Sequence, residues 1–318
     1  MFANSVLGAR STKYADYLDV CAAIVGRVPA AGPHLDSERA ARMVLDATAL
    51  AREYAPVCGD AFWPCLGYLA GLRSQARVPV LVGLAELEPT RDDLKAFSAA
   101  FGTTGTVALF HMAGVTPEAP DVATALGVAG ARAEAEVEAE AVVELSKREF
   151  EAAWCQLDGG SGDAGRGAGG SASTRVDCVA LGNPHLSLEE CATLVALCSD
   201  GGGPKHPDVV VMATLGREIY SQAEAAGYVE LLQSFGVEFV TDTCWCMLTE
   251  PVVPPTSKTL LTNSGKYAHY GPGLVDREVR FNTTAACVAA ARTGWTSRPG
   301  WLTQAQAASP ERAAVHAP

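Results

Sequence analysis

This sequence has little of what would place a protein in a membrane, on a nucleic acid or outside a cell. No apolar run is long enough to span a bilayer, although 48% of the 318 residues are hydrophobic. The N-terminus, MFANSVLGARSTKYADYL, has no basic segment leading into an apolar stretch, so it does not read as a secretory signal. Basic residues are scarce. The 24 Lys and Arg stand against 36 Asp and Glu, a formal net charge of -12, which argues against a phosphate backbone or an anionic membrane as partner. A local basic pocket for a small anion stays open. With nothing pointing to secretion, the cytoplasm is the expected compartment, an upstream targeting segment aside. Common fingerprints are absent too. No GxGxxG opens a helix after a strand, and no GxxxxGK[ST], GxSxG or HExxH occurs, so nucleotide binding, the usual hydrolase elbow and zinc proteolysis have no sequence support.

The ten cysteines carry no CxxC pair, and without a secretory signal a disulfide framework is not expected. Most read as small buried hydrophobes. The closest pair is Cys244-x-Cys246.

What the sequence does have is a strand–helix rhythm. Tyr14 to Gly26 reads as a helix with Leu18, Cys21, Ala22 and Val25 on one face, stopped by Gly26. Asp60 to Leu72 reads as a buried helix opening at an acidic cap. Residues 78–84 are a short apolar run of strand type, 90–102 a capped amphipathic helix, and 106–114 another strand. The second half repeats the pattern with strands over 175–182, 207–214, 237–244 and 258–263. Its helices are expected over 187–200, 220–236 and 283–294, the first opened by a Ser187-x-x-Glu190 capping box. Such alternation belongs to an α/β fold built on mostly parallel sheets. The expected organisation is a first α/β region over 1–157 with an acidic connector at 119–141. A Gly/Ser-rich linker (158–174), a second α/β region (175–303) and a frayed tail (304–318) follow.

Polar clusters follow the strands of the second half. Asn183 to His185 closes one strand, Asp242 to Cys244 another. The segment LTNSGKYAHYGPG (261–273) follows a third and crowds Asn263, Ser264, Lys266, Tyr267 and His269 beside bendable glycines. Ligands of open parallel sheets sit beyond the carboxyl ends of the strands. Lys266 and His269 lie three apart, so a helical turn puts them on one face, which suits gripping an anion while moving a proton. A plain polar turn would carry the same residues, and Asp242 also fits an Asx turn. In the first half, Asn4, Ser5 and Arg10 surround a glycine turn, and Arg10 has the fork to clasp a carboxylate or phosphate. His34 and Asp36 lie nearby in sequence.

Taken in order, FANSVLGAR, CAAIVGRVPAAGPHLD, LGNPHLSLEE, TDTC, TNSGKYAHYGPG and TTAACVAAARTG resemble the aconitase X family over roughly residues 1–296. The resemblance implies an aconitase-like fold, two α/β units with mostly parallel sheets around a cleft. It also implies a hydro-lyase of the aconitase superfamily, dehydrating cis-3-hydroxy-L-proline or mevalonate 5-phosphate with an iron–sulfur cluster as Lewis acid. Asn183 in place of a cysteine points to the first substrate and the lack of a fused small domain to the second, so the substrate stays open. The resemblance implies metal ligation by Cys244, Cys287 and Cys21. It leaves Cys58, Cys65, Cys155, Cys178, Cys191, Cys198 and Cys246 structural. Lys266, His269 and Asp242 take catalytic roles. Asn4, Ser5, Arg10, His34, His185, Asn263, Ser264 and Tyr267 bind substrate. Family members carry about a hundred residues before FANSVLGAR and a small swivelling domain, both missing here. The chain is therefore expected to be a truncated version, a degenerate paralogue or one piece of a larger assembly with a separate small subunit. Two alternatives remain: a partial paralogue acting as a binding or scaffold partner, and a metal-independent α/β enzyme using Lys266 and His269 on a small anion.

Overall fold

A computed structural model describes residues 1–15, 17–127, 142–159 and 173–302. Most of the acidic connector and the Gly/Ser-rich linker, and the whole of the expected tail, fall outside the described residues. The chain divides into two compact units, one of residues 1–58 and 62–153, the other of residues 59–61 and 154–318. Among the described residues, no helix is long and apolar enough to cross a membrane.

The first unit is built on a four-stranded parallel sheet of β1 (Met43–Asp46), β2 (Pro79–Val82), β3 (His111–Met112) and β4 (Val142–Glu144), in the order β3-β2-β1-β4. Each step from β1 to β3 moves one way, and β4 then pairs on the other side of β1. The third strand is shorter than its apolar run suggested, with only His111 and Met112 in the ladder. Beside the sheet, α4 (Phe62–Ser74) packs on α5 (Arg91–Thr104), and Gly67 is what lets them approach. A Cβ there would lie 2.4 Å from the Phe97 carbonyl oxygen. Thr90 and Asp93 form the capping box that starts α5. The core of this unit centres on Phe62, Phe97, Phe101, Phe110 and Phe150, all fully buried.

The second unit holds a five-stranded parallel sheet. Its strands are β6 (Cys178–Leu186), β7 (Val210–Leu215), β8 (Val237–Thr241), β9 (Thr259–Thr262) and β10 (Glu278–Phe281), in the order β10-β9-β6-β7-β8. Between the two sheets in sequence lies β5 (Thr174–Arg175), which pairs antiparallel with β11 (Trp295–Thr296). Alternate residues of β6 feed two cores. Val179 and Leu181 pack with α8 (Leu188–Cys198) and α12 (Thr284–Thr293) on one face. Cys178 and Ala180 pack with Trp245 and with Tyr267 of α11 (Gly265–Val275) on the other. Side chains alternate across a sheet, so the two faces are chemically separate. A buried ion pair locks the outer strand, with Arg280 donating from Nε and Nη2 to Asp158 at 2.6 and 2.8 Å.

Several sequence expectations need correction. The helix expected over 220–236 is two, α9 (Arg217–Ala225) and α10 (Tyr228–Phe235), because Gly227 between them takes a left-handed φ of 76°. Strand β6 runs on through Leu186 after a register shift past Leu181. The helix expected from Tyr14 is shorter, α2 (Leu18–Val25), and none of its residues is buried. The Asp60 carboxylate accepts the Thr284 N–H at 3.0 Å and so caps α12.

Candidate active site

The order of the second sheet makes one position special. Strands β6, β7 and β8 proceed to one side, and β9 then returns to pair on the opposite side of β6. The connections leaving β6 and β9 therefore diverge at their carboxyl ends, the switch point where open α/β sheets form a crevice. The side chains that collect there come from the segments following β6, β8 and β9.

Gly182 starts the arrangement. It lies at φ 88°, and a Cβ would sit 2.1 Å from the Thr214 carbonyl oxygen, so only glycine lets β6 pass β7 at this point. The Asn183–Pro184 bond after it is cis. Asn183 is buried and points its amide Nδ2 at Cys246 Sγ, 3.7 Å away. Its backbone carbonyl accepts the hydroxyl of Ser264, whose Oγ also accepts the Tyr267 N–H at 3.0 Å. Ser264 is thus the N-cap of α11 and the tie between the β6 and β9 ends.

After β8, a short turn over Trp245–Met247 carries the sulfurs. Trp245 is fully buried and donates from Nε1 to the Leu181 carbonyl at 2.6 Å. Cys244 and Cys246 flank it and are only half-buried. The Cys246 N–H donates to Cys244 Sγ at 3.4 Å. Lys266 reaches the same sulfur with Nζ at 3.9 Å. Burial raises the Cys246 thiol pKa, as does the neighbouring Cys244, while Lys266 pulls it down. His185 meets the carbonyl of Thr243 through Nε2 at 3.0 Å, closing the β6 and β8 ends together.

Lys266 sits in the first turn of α11, where the helix dipole is positive and a cation is out of place. Such a residue is tolerated where negative charge compensates it, from thiolates or a bound anion. Three residues on, His269 lies on the same helix with its ring edge on Tyr270, and burial lowers its pKa, so it is neutral at pH 7. Asn263 donates to Thr284 Oγ1 at 2.8 Å, whose hydroxyl in turn donates to Asp60.

The expected site residues therefore sort unevenly. Lys266, Cys244, His185, Asn263 and Ser264 meet at the switch point. Tyr267 does not face it. Its side chain is fully buried against Trp245, ring centroids 5.1 Å apart, with no hydrogen-bond partner for the hydroxyl among the described residues. Asp242 is committed elsewhere. At a left-handed φ of 58°, it accepts Arg217 N–H at 2.9 Å and Arg217 Nε at 2.5 Å, which holds its carboxyl below the usual range. Cys287 is wholly buried on the α8–α12 face of the sheet, among Val179, Leu181 and Leu261, the face opposite Trp245. Burial pushes its thiol pKa well up.

In the first unit, Asn4 and Ser5 are buried and spent on the backbone. Asn4 Nδ2 donates to the carbonyls of Ser11 and Ala108 at 2.8 and 2.9 Å, and Ser5 Oγ accepts the Phe110 N–H at 2.9 Å. Arg10 pairs with Glu118 at 3.0 Å and Asp36 at 2.5 Å. His34 stacks on Tyr14, whose hydroxyl it meets at 2.9 Å. Cys21 is exposed on α2. The sulfur of Cys246, expected as structural, and the amide of Asn183, given no site role, also lie at this end of the sheet, 3.7 Å apart. The CxC spacing was the signal for the first.

Three models of one family cover most of the chain: the aconitase X first domain at residues 1–37, the second at 41–154 and the third at 176–293. The chain belongs to the aconitase X family. It is 48% identical to a cis-3-hydroxy-L-proline dehydratase of Pseudomonas aeruginosa over 96% of this chain and 48% of that one. A phosphomevalonate dehydratase large subunit of Thermococcus kodakarensis is 29% identical over 85% of this chain and 60% of its own. Among solved structures, the aconitase X of Thermococcus kodakaraensis in its holo form superposes with a TM-score of 0.71 at 26% identity, covering 91% of this chain and 65% of that one. The chain spans about half the length of the cis-3-hydroxy-L-proline dehydratases it matches.

Aconitase-like enzymes imply an iron–sulfur group, and the donor chemistry fits it in part. The switch point offers two neighbouring half-buried thiols with a lysine and an amide beside them. Among the described residues no three His, Cys, Asp or Glu side chains converge to hold a metal ion. Of the expected ligands in this unit, Cys244 lies at the turn and Cys287 in the core beneath α8 and α12.

Proposed function

We propose that this chain is the catalytic part of a dehydratase acting on a small β-hydroxy acid, of the cis-3-hydroxy-L-proline kind. The observation that carries the proposal is the convergence of Lys266, Cys244, Cys246, Asn183 and His185 at the switch point of a parallel sheet. The higher identity to the hydroxyproline enzymes than to the phosphomevalonate subunits supports the substrate choice.

Both substrate classes pose one problem. A proton must leave the carbon beside a carboxylate, and a hydroxyl must leave the next carbon. Lys266, at the positive end of α11, attracts and orients the carboxylate. His269 lies one turn along the helix and is neutral at pH 7, so its ring can accept the proton. Asn263 and Ser264 hold the α11 start in place. Asp242 is left out of the proton transfer, because its carboxylate is already bound to Arg217. Cys244 would hold the iron–sulfur group, which when bound supplies a Lewis acid for the departing hydroxyl. The archaeal relatives are named as large subunits, and by that analogy a separate small subunit completes the working enzyme.

The test is anaerobic reconstitution of the chain with iron and sulfide, then assay on cis-3-hydroxy-L-proline and mevalonate 5-phosphate, with and without a small subunit from an archaeal relative. Dehydration of hydroxyproline that falls about 10²–10³-fold in Lys266→Ala supports the proposal. Turnover unaffected by Lys266→Ala, or turnover of the phosphomevalonate alone, would overturn it.

A further inference from the structure

The turn after β8 places two sulfurs where one was expected. Trp245 is the anchor. Its indole is sealed in the core and hydrogen-bonded to the Leu181 carbonyl, so the residues on either side are turned away from the core. Those residues are Cys244 and Cys246, both half-buried, with the Cys246 N–H donating to Cys244 Sγ at 3.4 Å. Each sulfur also has its own nitrogen donor, Lys266 Nζ at 3.9 Å for Cys244 and Asn183 Nδ2 at 3.7 Å for Cys246. Asn183 is itself buried and fixed, since its carbonyl accepts Ser264 Oγ.

We propose that Cys246 joins Cys244 as a two-sulfur clamp on a single iron of the iron–sulfur group, an inference that rests on the reading that such a group is bound here. Three physical arguments support it. Two thiols one residue apart on an anchored turn are pre-organised, so closing on one ion costs little ordering entropy. Two thiolates on one ion bring negative charge, which the ammonium of Lys266 and the positive end of α11 offset. Hydrogen bonds to the sulfurs, here from Lys266, Asn183 and the Cys246 amide, are the usual means by which a protein tunes such a group. Cys287, the other expected ligand in this unit, lies on the opposite face of the sheet.

The experiment is reconstitution of the full chain under anaerobic conditions with ferrous iron and sulfide, followed by iron and sulfide analysis and a visible absorption spectrum. Wild type, Cys244→Ser, Cys246→Ser and Cys198→Ser are compared, with circular dichroism melts to confirm that each is folded. Cys198 is a half-buried thiol on α8 and serves as the control. The clamp predicts that Cys246→Ser weakens iron binding by at least about 10–100-fold, no less than the loss of an outer-shell partner, and alters the sulfur-to-iron bands. Cys198→Ser behaves as wild type. If Cys244→Ser loses iron while Cys246→Ser keeps wild-type iron and spectrum, the clamp is wrong and the single-ligand reading stands. Wild type that takes up no iron overturns the reading beneath and the clamp with it.

Discussion

Asn4 and Asn263 are both asparagines expected to bind substrate, and they end in opposite circumstances. Asn4, in the first unit, is 2% exposed and gives its amide to two backbone carbonyls, while its own oxygen accepts the Ser11 N–H at 2.9 Å. Asn263, in the second, is half-buried at the start of α11 and makes a side-chain bond to Thr284. The same contrast separates Arg10 from Lys266. Arg10 already has two carboxylates, whereas Lys266 has a thiol partner and no carboxylate among the described residues and sits where its charge is disfavoured. A polar side chain that has satisfied its hydrogen bonds on the fold is stabilising; one held in place but left under-satisfied is available to a ligand. By that measure the polar residues of the first unit hold its N-terminal segment in place, and the site proposed in the second unit is the more available to a ligand.

That contrast breaks if mutation does not separate stability from activity. The largest separation is expected at Lys266. Lys266→Ala should cut turnover by about 10²–10³-fold while shifting unfolding free energy by no more than about 0.5 kcal/mol. Chemical denaturation beside a steady-state assay reads both. Arg39 should behave the opposite way. It is 3% exposed, donates to both oxygens of Glu118 and also to the carbonyls of Pro33 and Asn4, so Arg39→Ala strands one buried and several part-buried acceptors. A loss of about 3 kcal/mol is expected, seen as a lowered denaturation midpoint. A stability cost at Lys266 matching that at Arg39 would erase the distinction.

The two asparagines sharpen it on a smaller scale. Asn4→Ala should cost about 1–3 kcal/mol, since it leaves buried backbone groups unpaired. Asn263→Ala should cost about 1 kcal/mol or less and show its effect chiefly as a raised KM. Equal melting shifts for the two variants would mean that Asn263 is as structural as Asn4.

Much of this fold could be read from the residues, and the reasons for the failures are specific. Capping boxes at Thr90 and Ser187 are local and strong, and the helices they start were found. The strands of the second half announced themselves as apolar runs between glycines. Strand β1 and helix α3 (Thr48–Cys58) were missed, because β1 is only four residues long and α3 carries Pro56 inside it. The strand ends were legible, and Lys266, Cys244 and Asn263 do lie beyond them. Which face a residue occupies was not legible. Tyr267 and Cys287 belong to sequence motifs but fall on core faces, a matter of helix rotation and sheet alternation that residue type alone does not report. The destinations of Asn4 and Asp242 depended on partners 104 and 25 residues away, Ala108 and Arg217.

The smallest predicted effect concerns pH in the first unit. His111 is 2% exposed on β3, with Nε2 2.7 Å from the Arg39 carbonyl. Burial lowers its pKa, and the bond to the Arg39 carbonyl and the charge of Glu118 only partly oppose that. The unfolded chain, with an ordinary histidine near 6.5, therefore takes up a proton before the folded one does. Stability is unaffected by this group above pH 7, begins to fall below about pH 6.5, and continues falling until the folded state also protonates. Thermal melts between pH 5 and 8 should show the decline in wild type and a flatter profile in His111→Gln. Because Arg39 is anchored to Glu118, whose carboxyl is held below its usual range by Arg39 and Arg10 despite the opposing effect of burial, a second acid loss should follow near pH 4 in both proteins. Identical slopes above pH 5 in the two would show that the buried imidazole is not what ties this unit's stability to neutral pH.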